Sequence, residues 1–440
     1  MNNAKQAKLD ALIDHHFSDL VIKLWGKEDP FLAQLAENCS RSERNGSAGF
    51  SVAGCAGEVK KRCSQNSPVL GMLLPEGKIP QTLLVYHDEA QIVFFNQHLS
   101  LEIELAKLFL QVKDLTTVFS GEEPDIASAR MFRLTEDLAR SINESEIRLI
   151  SGNPTASVNA MQKRGLSRPV VSVFDLVREL QQIGELCRIN GTSPVKLIAV
   201  DRAEMLSDHT WLSLLKHLPP KVRLILSGCP DNCGMSKSGT VFSDLVKAWK
   251  IATIRREKPL TEQEKSFAKS RELLSELLKI ASTPQQIIIS PERFGTTGSF
   301  TLNEAFQKHF TAKRQSCPAI LTADCGGLVS GTRGRMIFEN GIRRFIPEYS
   351  DIPLPETPDD HQWRPFWVLL PEEASGITAK RVYFVVPEKN PGNYRQKDLR
   401  CAGSCAEETL IKLQLKDAAS ALPDYERCGI LEQLLADKSQ

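Results

Sequence analysis

Between residues 113 and 260 the chain repeats one unit: a short apolar run, a turn, then an amphipathic helix. The apolar runs are "LTTVFSG", "EIRLISGNP", "VKLIAVD" and "VRLILSG", and the helical stretches are "SARMFRLTEDLARSI", "VFDLVRELQQIGEL", "HTWLSLLKHL" and "VFSDLVKAW". A run of consecutive apolar residues suits a strand covered on both faces, and a helix between successive strands makes them parallel. The alternation therefore predicts a doubly wound parallel α/β sheet over this region.

The rest of the chain divides around that sheet. A charged stretch, "TEQEKSFAKSRELLSELLKIAS", reads as helical and leads to a second α/β half that starts at "QQIIISPERFG" and resumes at "RVYFVVP". Between these, "PAILTADCGGLVSGTRGRMIFENGIRRFIPEY" is rich in short strands and glycine turns, with Asn340-Gly341 signalling a hairpin, and reads as a small β insertion near residues 317–360. "DIPLPETPDDHQWRP" reads as an exposed linker, with Trp363 and Trp367 anchoring it to the core. Upstream, "QTLLVYHDEAQIVFF" reads as a hairpin, and Leu101, Leu105, Leu108 and Val112 fall at helical spacing. The expected organisation is a helical N-terminal domain over 1–112, one α/β domain over 113–260 and a second over 261–440 with the β insertion.

Composition narrows the class of protein. A chain of 440 residues is too long for one ordinary core, and its 41% apolar and 25% charged content is that of a globular protein. No apolar run is long enough for a membrane span, and the start "MNNAKQAKLDALIDHH" lacks the apolar core of a secretion signal, so a cytoplasmic location is expected. With a formal charge of +1, any nucleic-acid site must be a local patch. Eleven cysteines suit reduced thiols. The pairs Cys229/Cys233 and Cys401/Cys405 share a spacing open to metal, but with no third pair or nearby histidine they read as buried thiols and no metal is expected.

Two α/β halves, with Asp201 ending a strand in the first, suggest a RecA-like motor that binds nucleotide between its halves. In order along the chain, "TLLVYHDEAQIVFFNQHLSLEIELAKLF", "KLIAVDRAEML", "LLKHLPPKVRLILSGCPDN", "SGTVFSDL", "PERFGTTGSFTLNEAFQ", "SGTRGRM" and "ASGITAKRVYFVVP" resemble stretches of the RecD family, the 5′-to-3′ helicase subunit of the exonuclease V (RecBCD) complex. The resemblance spans most of the chain. It implies two RecA-like, P-loop NTPase-type domains, a small SH3-like β insertion in the second, ATP and Mg²⁺ as ligands, single-stranded DNA as a partner, and RecB-like and RecC-like subunits.

The chemistry that such a motor needs is thinned out. A phosphate loop requires glycines, a lysine and a Ser/Thr hydroxyl for Mg²⁺. The matching stretch "SGEEPDIAS" keeps Gly121 and Ser128, but Ile126 and Ala127 stand where glycine and lysine belong, and Glu122, Glu123 and Asp125 add negative charge. Asp201 keeps the Mg²⁺ position, whereas Arg202 replaces the carboxylate that would orient water; Glu204, two residues along, is a substitute whose direction is unconstrained if the strand has ended. After Gly228 stand Cys229 and, at the glutamine position, Asn232. "GNPTASV" keeps Pro154 and Thr155 but has Ala156 and Ser157 for glycine and lysine. In the second half Glu407 and Glu408 occupy an arginine-rich position, Glu372 and Glu373 precede Ala374, Ser375 and Gly376, and Arg293 is the one cation kept at a motif. The expected nucleotide site is thus degenerate: Asp201 as the residual catalytic carboxylate, with Gly121, Ser128, Gly228 and Arg293 as residual nucleotide contacts. Candidate DNA contacts are Arg333, Arg335, Arg343 and Arg344, with Phe338 and Phe345 for base stacking. The reading that follows is a RecD-like pseudo-helicase without a bound cofactor. The alternatives are an active ATP-dependent helicase subunit with an altered site, using ATP and Mg²⁺, and a protein-interaction module without a DNA role.

Overall fold

The computed structural model describes residues 3–44, 47–65, 67–74, 78–153, 156–157, 160–161, 164, 166, 170–171, 173–190, 194–232, 240–281, 286–312, 316–321, 325, 333–339, 342–347, 358–359, 361–374, 377–388, 394–416, 418, 420–421 and 429–436. The chain opens with helices α1 (Asn3–Trp25) and α2 (Pro30–Arg44), strand β1 (Gly49–Ser51), α3 (Ala56–Cys63) and strands β2 (Leu70–Met72), β3 (Leu84–His87) and β4 (Ile92–Phe95). The expected hairpin is β3 and β4, antiparallel with Val85 opposite Phe94, inside a four-stranded sheet ordered β1-β4-β3-β2. Helix α4 (Asn96–Val112) follows. The N-terminal region is thus helices around a small mixed sheet.

Lobe 1 is the doubly wound sheet that the apolar runs predict. Its strands are β5 (Thr116–Gly121), β6 (Ile147–Ser151), β7 (Val170–Val171), β8 (Leu197–Asp201), β9 (Arg223–Gly228) and β10 (Thr253–Ile254), ordered β10-β5-β9-β8-β6-β7 with every pairing parallel. Helices α5 (Pro124–Ala139), α6 (Val173–Asn190), α7 (Asp208–Lys216) and α8 (Val241–Ala248) connect them. Apolar clusters lie on both faces. One gathers Phe109 of α4, Leu176, Ile198, Trp211, Leu224 and Phe242, and the other Met131, Phe132, Leu149, Ala199 and Ile225. Alternate residues of one strand thus enter opposite cores, which is why β8 is buried at every position.

Lobe 2 begins with a departure from expectation. The first residues of the stretch read as helical, Thr261–Phe267, form strand β11, and only Ser270–Ala281 is helix α9. Helix-favouring Glu, Gln and Lys are overridden by a parallel ladder to a later strand, in which Thr261 pairs with Thr409 and Phe267 with Leu415. Next come β12 (Gln286–Ile289) and α10 (Ser299–Ala312). The insertion is a four-stranded antiparallel sheet of β13 (Cys317–Leu321), β14 (Arg333–Glu339), β15 (Ile342–Pro347) and β16 (Trp363–Pro365), ordered β15-β14-β13-β16. Trp363 and Trp367 are buried and do anchor the end of the proline-rich stretch, residues 351–357 and 360 of which lie outside the described residues. Strand β17 (Val368–Leu369), helix α11 (Pro371–Ala374), β18 (Ala379–Val385), α12 (Gln396–Cys405) and β19 (Ala406–Leu415) complete a parallel sheet ordered β11-β19-β18-β12-β17. The two lobes are RecA-like parallel α/β domains. Helix α13 (Leu431–Ala436) returns from lobe 2 and inserts Leu431 and Leu435 into the first lobe's core.

Candidate nucleotide site

The strands of lobe 1 end side by side, and Gly121, Ser151, Asp201 and Gly228 close them. Loops at this edge of a parallel sheet are where ligands of such folds sit. In an extended strand Asp201 and Arg202 would face opposite ways. Arg202 instead adopts a left-handed backbone, φ 55° and ψ 45°, and starts the short turn Ala203–Met205. Both side chains thereby enter one buried network. For a bulky residue that conformation costs on the order of 1–3 kcal/mol, so the surroundings must repay it.

The Asp201 carboxylate is fully buried and surrounded by hydroxyls. Its Oδ1 accepts from Ser128 Oγ at 2.5 Å and Ser227 Oγ at 2.6 Å, and its Oδ2 accepts from Ser157. Arg202, also fully buried, brings Nε to 3.6 Å from Asp201 Oδ2 and donates from Nη2 to Asp125 Oδ1 at 2.5 Å. Burial works against the guanidinium charge, but Asp201, Asp125 and Glu204 outweigh it and hold the Arg202 pKa above its ordinary value. The anionic turn and the misplaced cation, separate defects in the sequence, neutralise each other here.

Glu204 takes a different direction. Its carboxylate is buried under the Gly228 turn, accepting from the Cys229 N–H at 3.2 Å and from Asn232 Nδ2 at 3.0 Å. A side chain on Gly228 would collide with Glu204 and with Phe242, which is what requires glycine there. Burial raises the Glu204 pKa against the pull of Arg202 and Asn232. With donors on both oxygens it is a structural acceptor, not a base facing an open site.

Three contacts carry this network into lobe 2. Thr378 donates to Asp125 Oδ2 at 2.9 Å, Ser404 of α12 donates to Asn232 Oδ1, and Arg256 bridges Glu123 (3.0 Å) to the carbonyls of Gly403 and Ala406 (3.3 Å each). Burial raises the Glu123 pKa, opposed by Arg256.

An ATP·Mg²⁺ ligand does not fit this arrangement. Mg²⁺ requires near-octahedral oxygen ligands, yet the Asp201 oxygens already receive three hydroxyls with a guanidinium alongside. The Ser128 hydroxyl, expected at the metal, is hydrogen-bonded to the carboxylate expected to share it.

The remaining sequence candidates are scattered. Arg293 sits exposed in the turn after β12, next to the stacked and exposed pair Phe294 and Phe300. Pro154, Thr155, Ser375 and Gly376, and Cys233 of the thiol pairs, lie outside the described residues. Cys229, Cys401 and Cys405 are buried and donate to the carbonyls of Glu122, Pro371 and Ala374. In the insertion, Arg335 and Arg344 are exposed on the hairpin face opposite to Met336 and Phe345, and Arg343 is half-buried. Phe345 must be corrected as a base-stacking candidate, because it is fully buried in the lobe 2 core and offers no face to solvent. Arg333 stacks over Phe366 at 4.9 Å, and Phe338 lies in β14. Sequence reasoning missed Ser227, Thr378, Ser404 and Arg256. The signal available for Asp125 and Arg202 was an acid in the stretch expected to cradle phosphate and a base in place of an expected carboxylate.

No protein-family model and no curated protein sequence matches the chain. Solved structures similar to it include Bacteroides Pif1 bound to ssDNA (11% identity over 70% of this chain and 91% of that one, TM-score 0.42). Others are the Pif1 helicase of Candida albicans (12%, 70% and 93%, TM-score 0.36) and the Escherichia coli DEAH/RHA helicase HrpB (14%, 70% and 42%, TM-score 0.35). At such scores the likeness carries no assignment of activity or ligand, and the fold rests on this chain's own strand order. Among the described residues no helix is long and apolar enough to cross a membrane.

Proposed function

We propose that this chain is a RecD-like pseudo-helicase, a non-hydrolysing relative of the exonuclease V helicase subunit that serves as a structural or DNA-binding component beside RecB-like and RecC-like subunits. The observation that carries the reading is the Arg202 guanidinium, buried between Asp125 and Asp201 where a motor would hold metal and triphosphate. Catalysis of phosphoryl transfer depends on cations aimed at the phosphates, and here the buried Arg202 guanidinium is paired with the protein's own carboxylates. The sequence resemblance supports the RecD-like reading, and the exposed Arg335 and Arg344 offer a cationic surface for a nucleic-acid backbone.

The test is ATP turnover by the purified chain, alone and with RecB-like and RecC-like subunits, with and without single-stranded DNA. No turnover is expected under any of these conditions. Working enzymes run at about 1 per second or faster, and DNA-stimulated turnover in that range by the chain alone would overturn the proposal in favour of an active helicase. Single-strand affinity is expected to fall with salt, and to fall less steeply after Arg335→Ala and Arg344→Ala.

A further inference from the structure

We propose that charged groups of lobe 1, Arg202 with Asp125, Glu204 with Asn232 and Glu123 with Arg256, form a built-in clasp that holds the two lobes in a single closed arrangement, so that lobe closure in this protein is independent of nucleotide. The inference rests on the non-hydrolysing reading and adds a mechanical consequence to it. In a nucleotide-driven motor the ligand between the lobes makes contacts to both, and its loss lets them part. Here the contacts are built in. Arg202 orients Asp125, whose second oxygen receives Thr378 from lobe 2. Glu204 orients Asn232, whose carbonyl oxygen receives Ser404 from α12. Glu123 holds Arg256, which reaches the Gly403 and Ala406 carbonyls. In the first case a buried guanidinium fixes the carboxylate that meets lobe 2, and in the other two a buried carboxylate fixes the amide or guanidinium that does, so all three contacts rest on buried charge in lobe 1.

The experiment measures lobe separation directly. Spin labels on unnatural amino acids at Arg140 of lobe 1 and Lys308 of lobe 2, whose side chains are 82% and 76% exposed, report a distance distribution for the full chain. The wild type is expected to give one narrow population, unchanged by millimolar ATP and Mg²⁺. The combined variant Thr378→Val, Ser404→Ala, Arg256→Gln, which spares the Asp201 network, is expected to add a second, longer population. If the triple variant does not fold, Thr378→Val with Ser404→Ala is read in the same way, since it removes only two hydroxyls. A broad wild-type distribution, a shift on adding ATP, or a folded variant indistinguishable from wild type overturns the inference. ATP turnover is scored separately on the same wild-type samples, so mobile lobes without turnover defeat the clasp alone, whereas turnover defeats the functional reading itself.

Discussion

Glu204 shows what a buried carboxylate does to the pH dependence of a fold. Its pKa is pushed above the ordinary 4.5, mainly by burial. The folded chain therefore binds this proton more tightly than the unfolded chain, and the linked stability is fully present below pH 4.5. It is lost as pH rises through the raised folded value. Glu204→Gln removes that dependence while keeping an acceptor for the Cys229 N–H. The Asn232 amide can turn over to receive the new NH₂ and donate to Ser404. Urea denaturation from pH 4.5 to 7 is expected to show a flatter decline for the variant than for wild type; equal slopes would mean that Glu204 titrates normally. Nothing in the sequence at Glu204 announced this burial, because its direction depends on Arg202 turning left-handed one step after the strand.

At the level of elements, the sequence was readable where periodicity and burial agree. The apolar runs around Leu197–Val200 and Leu224–Leu226 predict central strands because each side of such a run faces a helix layer, and both are central in lobe 1. Strand β11 was opaque for the converse reason: six of its seven residues are exposed, so no apolar pattern marks it, and its partner β19 lies more than a hundred residues away. The Arg202–Asp125 and Asp125–Thr378 contacts were hidden likewise, spanning 77 and 253 residues. In the β14–β15 hairpin the mixture of arginines and aromatics was visible but the sorting of faces was not. The register places Met336 opposite Phe345 on the buried side and Ile337 opposite Arg344 on the other. Phe345→Ala is therefore expected to cost about 3–5 kcal/mol, and Arg344→Ala no more than roughly 0.5 kcal/mol, by urea denaturation. The reverse ranking would place the aromatic on the solvent face.

Across the whole molecule, the lobes are joined by more than the segment between β10 and β11. After β19 the chain returns to lobe 1, where Glu102 of α4 accepts the Ile430 N–H at 2.7 Å and α13 buries Leu431 and Leu435 beside Phe109, Leu245 and Val246. Ile430 packs with Val85, Phe94 and Leu99, so this short helix also touches the N-terminal sheet. Its sequence, "ILEQLLA", is too brief to form a stable helix alone, and its order comes from the surface it covers. Three parts of the chain thus share a core that is completed only by its last described residues. Two lobes joined by one linker would unfold in separate steps; with this helix in place a single cooperative transition is expected by calorimetry. Leu431→Asp sets a carboxylate in that core, which costs several kcal/mol unless the helix detaches. Detachment is the cheaper outcome, so the variant is expected to show two transitions: lobe 1 melting early and lobe 2 near its original temperature. A variant that melts in one step at the wild-type temperature would show that α13 adds nothing to the coupling between lobes.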